Sequence, residues 1–194
     1  MREQIKLTDN SWFIFAEKFI EASEADKLLE RLLSLPWEQK KVVIRGKEYN
    51  QPRLVAWAGQ LPYRYSNLTL EPRPWVADLL ALRLRLKLAT PHEFNHVLLN
   101  LYRNGDDTIG FHADNEPELG DAPTIASLSL GQNRQFLIRP RKKGEKDSFL
   151  TLTHGSLLVM GGEFQREFTH SVPREKNVSK QRVNLTFRKL LRAP

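Results

Sequence analysis

The 194-residue chain has no cysteine. That absence removes disulfides, thiolate metal ligands and a cysteine nucleophile together, so any metal must rest on nitrogen and oxygen donors. No apolar run approaches the ~18 residues of a membrane-spanning helix. The opening MREQIKLTDNSW has no signal-peptide apolar core. The expectation is therefore a cytoplasmic protein with no membrane partner, nucleoid-associated in a bacterium or nuclear in a eukaryote. Internal repeats and low-complexity tracts are also missing. Acidic residues are in deficit, 23 Asp and Glu against 30 Lys and Arg, for a net charge of +7. The first 36 residues carry five basic and seven acidic side chains, so the remainder carries +9. Basic residues gather at 40–53, 134–146 and 166–192. A polyanionic partner such as nucleic acid explains this, and simple solubility explains it as economically.

What is present fits one folded domain, with 40% hydrophobic and 27% charged residues. Residues 23–35, SEADKLLERLLSL, place leucines at helical spacing behind a serine and early acids, which predicts a helix ending at Pro36. Residues 74–89, PWVADLLALRLRLKLA, open on proline and predict a second helix. Residues 37–69 between them are basic, with Gly, Pro, Trp and Tyr, and predict hairpins and loops. After Pro91 come short apolar or alternating runs cut by turns, among them HVLLNLY, TIASLSLG, RQFLIRP and RVNLTFRKLL. These predict a β-sandwich or jelly roll, hence an α+β domain with helices first and sheet second.

His92-Glu93-Phe94-Asn95-His96 matches H-E-x-x-H, the zinc-peptidase pattern. The pattern needs a helix, where positions i and i+4 share a face; on a strand the two histidines would lie roughly 13 Å apart. His96 runs into Val97-Leu98-Leu99, which predicts a strand and argues against zinc. A helix started by Pro91, with Glu116 as third ligand, would restore it. Otherwise His92 and His96 are expected near the sheet edge and His154 in a hairpin turn.

A second constellation is more coherent. His112 and Asp114 are two apart and share a side of a strand, and His170 follows in FTHSVP. Two histidines and a carboxylate form the facial triad of non-haem iron oxygenases, which leaves positions open for co-substrate and oxygen. In QRVNLTFRKL, Arg182, Asn184, Thr186 and Arg188 alternate with apolar residues. If that face is interior, two buried guanidinium groups need anions, and a dicarboxylate beside the metal supplies them. The alternative is a strand with a solvated basic face.

From residue 36 to 191, NHVLLNLYRNGDDTIGFHADNEPEL, IASLSLG, HGSLLVMGG, THSVP and RVNLTFRKL resemble the AlkB family of Fe(II)/2-oxoglutarate dioxygenases, in particular the branch of the second and third animal AlkB homologues. The resemblance implies a double-stranded β-helix core over 91–194, preceded by helices and by a nucleotide-recognition lid at about 36–70. It implies His112, Asp114 and His170 as iron ligands. It implies Tyr102 with Arg182 on the distal carboxylate of 2-oxoglutarate, and Asn100, Asn184 and Arg188 on the carboxylate beside the keto group, with Thr186 on the same strand. Substrate contacts carried over are Arg45, Arg53, Tyr63, Tyr65, Ser66 and Glu116, with Tyr65 stacking on a flipped base. Phe168 stands where many relatives have tryptophan, and Arg45 stands at a finger where one branch has an aromatic.

The implied activity is oxidative demethylation of N-alkylated bases such as 1-methyladenine and 3-methylcytosine in DNA, using Fe(II), 2-oxoglutarate and O2, by a monomer that repairs DNA by direct reversal. The partner is single-stranded and double-stranded DNA, or RNA. An RNA demethylase of the same chemistry and a catalytically silent nucleic-acid-binding module are the alternatives.

Overall fold

A computed structural model of the chain describes residues 4–44, 46–65 and 68–191. In chain order the elements are β1 (Ile5–Lys6), β2 (Ser11–Ala16), α1 (Ala22–Leu33), β3 (Lys41–Ile44), β4 (Lys47–Asn50), β5 (Leu54–Gly59), β6 (Tyr63–Tyr65), β7 (Leu68–Leu70), α2 (Ala77–Ala89), β8 (His96–Tyr102), β9 (Ile109–His112), β10 (Ile125–Gly131), β11 (Arg134–Pro140), β12 (Ser148–Leu152), β13 (Leu157–Gly162), the single turn α3 (Phe164–Glu167), β14 (Phe168–Val172) and β15 (Arg182–Arg188). Seven strands form a major sheet in the order β1-β2-β13-β10-β15-β8-β5, and four form a minor sheet in the order β12-β11-β14-β9. The hairpins β3-β4 and β6-β7 stand apart from both sheets. The two packed antiparallel sheets make a jelly roll, as the sequence predicts. No helix among the described residues is long and apolar enough to cross a membrane.

Period-two alternation divides the major sheet between two cores. On β8, Val97, Leu99 and Leu101 pack with Leu28 and Leu32 of α1 and Leu79, Leu82 and Leu86 of α2. The intervening Leu98 and Tyr102 pack instead with Phe136, Ile138 and Val172 of the minor sheet. Both faces of β8 and β15 are therefore covered, and every residue of both strands is buried. Each such leucine contributes roughly 1.5–3 kcal/mol. The result is three layers: helices, major sheet, minor sheet.

Three boundaries differ from the sequence expectation. The first helix is capped by Glu21, so Ser23 lies inside it and is not the cap. The second begins at Ala77, after Pro74, because Arg73 exchanges backbone hydrogen bonds with Gly59 and holds the chain extended just before. Nor is the sheet confined to residues after 91. β2 pairs with β13, and β5, from the expected lid, pairs with β8 inside the major sheet. Residues 11–16, SWFIFA, are rich in aromatic and β-branched types that suit a strand, and the expectation of N-terminal helices alone passes over them.

Residues 92–95 carry no helix and His96 opens β8, so H-E-x-x-H does not present two histidines on one helical face. His92 stacks on Trp12 at a centroid distance of 6.4 Å. His96 is not at the sheet edge: β8 lies between β15 and β5, and the ring is 1% exposed, edge-on to Tyr63 at 4.8 Å. It lies over Gly59, where a Cβ would come within 2.6 Å of the imidazole. His154 sits in a turn, but not of a hairpin: it joins β12 of the minor sheet to β13 of the major one, and its ring accepts from the Gly131 N–H at 2.7 Å.

Burial, helped by the Arg188 charge, pulls the His96 pKa from 6.5 down to about 3. The unfolded chain then binds a proton that the folded one excludes, so stability is lost as pH falls from 6.5 towards 3. His96→Leu is expected to lessen that loss by about 1.4 kcal/mol per pH unit. Urea unfolding across this window measures it, and an unchanged slope would assign the proton to another group.

Candidate metal centre

The antiparallel register of β9 and β14 sets His112 directly opposite His170, and their rings lie 4.4 Å apart. The His112 Nδ1–H donates to the Gly110 carbonyl at 2.9 Å, which leaves Nε2 as the free lone pair. His170 stacks on Phe136 at 5.0 Å. Asp114 follows just beyond β9, its backbone N–H donating to Gln165 Oε1 at 2.9 Å. Its Oδ1 accepts from Arg188 Nη2 at 2.6 Å, and its Oδ2 lies 4.0 Å from His170 Nε2.

The protonation states suit ligation. Burial pushes His112 below its usual pKa and His170 down to about 3, so both imidazoles are neutral. Burial alone would raise the Asp114 carboxyl, but Arg188, His170 and His112 outweigh it and hold the pKa at about 2. Neutral imidazoles and an ionised carboxylate are the forms that bind a metal. Among the described residues no three His, Asp or Glu side chains are drawn together at coordination spacing. The Asp114–His170 separation exceeds the roughly 3 Å between neighbouring donors around an ion bound at about 2.1 Å, because Asp114 is committed to Arg188. The three residues fit an iron ion in donor type and protonation, while their spacing in this structure is wider than coordination requires.

They line a narrow cavity of about 30 Å³ together with Asn100, Tyr102, Asn184, Thr186 and Arg188. Eight of the nine residues expected to hold metal and co-substrate thus face one space, and Arg182 adjoins it. The interior orientation expected for β15 is found: Arg182, Asn184, Thr186 and Arg188 are all 7% exposed or less. Register explains how they are grouped. Arg182 pairs with Tyr102, Asn184 with Asn100 and Arg188 with His96.

The two arginines differ electrically. Arg188 has Asp114 as counter-ion; burial would lower its pKa, but Asp114, Tyr63 and Glu116 carry it well above the usual range. Arg182 Nη2 donates to Ser129 Oγ at 2.9 Å and Asn184 Oδ1 at 2.7 Å, and its guanidinium lies 5.1 Å from the Tyr102 ring centre. Its Nε and Nη1 have no hydrogen-bond acceptor among the described residues. Burial lowers its pKa to about 10, so it stays cationic at neutral pH. A buried cation with two nitrogens unpaired is an anion site. At the other end, Arg188 and Asn100 stand four residues apart along the sheet register, and Asn100 Oδ1 accepts instead from Arg53 Nε at 2.8 Å.

The expected substrate residues are less gathered. Arg53 is 5% exposed and also donates to the Thr108 carbonyl at 3.2 Å, which places it in the interior beside Asn100 and not on an open lid face. Tyr63 is wholly buried, its hydroxyl against the Glu116 carboxyl and its ring 5.3 Å from the Arg188 guanidinium, so it is an interior prop. Glu116 caps the turn Pro117–Leu119 two residues beyond Asp114; burial and the Asp114 charge raise its pKa. Arg45, Ser66 and the Tyr65 side chain lie outside the described residues. Sequence reading missed Gln165, which holds the Asp114 backbone, and Ser127, whose Oγ donates to Asn184 Oδ1 at 2.9 Å. Neither has a local signal, since both act across large sequence separations.

A family model described as the 2OG-Fe(II) oxygenase superfamily matches residues 13–188. Alpha-ketoglutarate-dependent dioxygenase alkB homolog 3 of Rattus norvegicus is 43% identical over 180 residues, 88% of this chain and 61% of that protein. DNA oxidative demethylase ALKBH2 of Mus musculus is 41% identical over 188 residues, 87% of this chain and 76% of that one. The chain thus spans less than two thirds of the length of the rat relative. A solved structure titled "The structure of OsALKBH1" aligns with a TM-score of 0.68 at 19% identity, covering 91% of this chain and 97% of that one, a likeness of fold. With its jelly roll, paired histidines and two interior arginines, the chain belongs to the AlkB homologues of the 2OG-Fe(II) oxygenase superfamily.

Proposed function

We propose that the protein is a dioxygenase that removes N-methyl groups from alkylated bases in DNA, of the 1-methyladenine and 3-methylcytosine type, and so repairs DNA by direct reversal. The observation that carries this reading is the buried Arg182, its Nε and Nη1 unpaired, beside a cavity lined by His112, Asp114 and His170. Together these make a metal site with a dicarboxylate site next to it. Iron bound there would supply oxidation of the methyl group by O2, coupled to decarboxylation of 2-oxoglutarate to succinate and CO2, after which the product loses formaldehyde.

The protein's own contribution is binding and orientation. Arg182 and Tyr102 take the distal carboxylate, while Asn100, Asn184 and Arg188 lie along the cavity towards the metal ligands. Phe136 and Met160 give the cavity an apolar wall that limits water. Glu116 and Tyr63, near Asp114, mark the end where a base would enter. The relatives' names support this reading: one group is called DNA oxidative demethylase. The test is stoichiometric succinate and formaldehyde from a methylated DNA oligonucleotide, with the matched RNA in parallel. Binding without either product would identify a silent binding module, and products from RNA alone would make it an RNA demethylase.

Arg182→Ala is expected to weaken 2-oxoglutarate binding while iron affinity holds. Losing a buried charge-assisted pair costs on the order of 2–5 kcal/mol. An unchanged apparent constant for 2-oxoglutarate would remove Arg182 from the distal clamp.

Arg45, between β3 and β4 in sequence, is proposed to grip phosphate and not to wedge between base pairs, since a guanidinium loses hydration when inserted there. Arg45→Ala is expected to weaken DNA binding and reduce its salt slope by roughly one unit. Repair of duplex lesions far faster than single-stranded ones would contradict this.

A further inference from the structure

Arg134, the first residue of β11, has a side chain that is 0% exposed, yet nothing above gives it a task. Each of its three nitrogens already donates to protein acceptors. Nε donates to Glu175 Oε1 at 2.9 Å, Nη1 to the Asn104 carbonyl at 3.2 Å, and Nη2 to the carbonyls of Asp107 at 3.0 Å and Pro173 at 2.6 Å. What it holds is two loops, the turn after β8 and the segment after β14. These loops also bond directly, Glu175 N–H to the Gly105 carbonyl at 2.9 Å and Gly105 N–H to the Val178 carbonyl at 2.8 Å. They approach so closely that a Cβ on Gly105 would stand 1.8 Å from the Glu175 carbonyl oxygen.

Between the clamped loops lies Tyr102. Its ring centre is 5.4 Å from the Arg134 guanidinium and 5.1 Å from that of Arg182. The ring therefore has two cations beside it, one with every nitrogen hydrogen-bonded and one with two nitrogens to spare. Arg134 also pushes the Arg182 pKa down and Glu175 pushes it up, so both act on that guanidinium through space.

We propose that Arg134 is a positioning residue for the distal carboxylate of the co-substrate: it fixes Tyr102 by clamping the two loops, and it adds a second buried positive charge, moderated by Glu175, behind Arg182. This rests on the reading that Arg182 receives that carboxylate. A fixed charge in a buried site acts with little screening, so it favours a distal anion that it does not touch. Its effect is confined to ligands that carry the distal charge.

The test measures dissociation constants by calorimetry on the protein loaded with Mn(II) in place of iron, for 2-oxoglutarate and for 2-oxopentanoate, which lacks the distal carboxylate. Arg134→Gln is expected to weaken 2-oxoglutarate about tenfold and 2-oxopentanoate less than twofold, with Arg134→Lys recovering part of the difference. Glu175→Gln covers the case in which Arg134→Gln fails to fold. Its amide oxygen still accepts from Arg134 Nε and from the Gln135 N–H, both bonded to Glu175 Oε1 here, while its charge is gone. It is expected to tighten 2-oxoglutarate about two- to threefold and leave 2-oxopentanoate unchanged. Equal weakening of both ligands in Arg134→Gln, or no gain in Glu175→Gln, would reduce Arg134 to a structural brace. If the unaltered protein binds both ligands equally, the distal-clamp reading of Arg182 fails first, and the proposal falls with it.

Discussion

Asp114→Ala is expected to abolish turnover and to lower iron affinity severely, while the protein stays folded. Asp114 is the single anionic donor of the proposed ligand set, and its carboxylate is kept ionised against burial by the Arg188 charge. Alanine removes one of three donors and leaves Arg188 without its counter-ion. Product formation should drop below detection even with iron and 2-oxoglutarate in excess, and iron titration followed by calorimetry should show the loss directly. Near-normal product with both supplied would move the metal away from this cavity.

How much of this could be seen in the chain beforehand depends on where the signal resides. The interior face of β15 was legible because alternation of polar and apolar residues is a local property, and two arginines on an otherwise apolar strand need an interior partner. His112 and His170 were legible as residue types at a spacing, whereas their direct opposition is a matter of register between β9 and β14 and has no local trace. The start of α2 was misplaced because proline favours a helix start, but the backbone bridge from Arg73 to Gly59 prevents one at Pro74. Arg53 was expected among the contacts on DNA; only the folded chain shows its Nε on Asn100. His96 was expected near the sheet edge because a histidine at the start of an apolar run gives no hint that Gly59 and Tyr63 enclose it.

Replacing Arg188 with methionine is expected to cost the metal-free protein about 3–5 kcal/mol, the usual penalty for removing one partner of a buried ion pair. Both side chains of the pair are 2% exposed, so the abandoned Asp114 carboxylate has no water to turn to. The pH dependence gives the sign. With Arg188 present, Asp114 has a pKa of about 2 against an ordinary 3.8, and its contribution is in place above 3.8 and lost as pH falls through 2. Without Arg188, burial raises the carboxyl above its ordinary value, and the variant's deficit relative to the unaltered protein should shrink as pH is lowered. Urea unfolding of the two proteins across the acid range checks both size and trend. A deficit under about 1 kcal/mol, or one that grows on acidification, would mean that Asp114 is not buried against Arg188 as described.

The order of strands in the major sheet bears on how the molecule is made. β15 is the most C-terminal strand of the described residues, yet it lies at the middle of the sheet, with β10 on one side and β8 on the other. As the polypeptide leaves the ribosome, β8 and β10 are synthesised with a strand-wide gap between them, and each presents an unpaired edge. β2 waits likewise for β13, about 140 residues later. The gap between β8 and β10 stays open until 182–188 pair, so a chain that lacks them keeps apolar strand edges open to other chains. That segment also delivers Arg182 and Arg188, so the step that completes the sheet installs both anion-binding guanidinium groups at once. A chain stopped short of β15 would lack the two guanidinium groups and the strand that closes the sheet together.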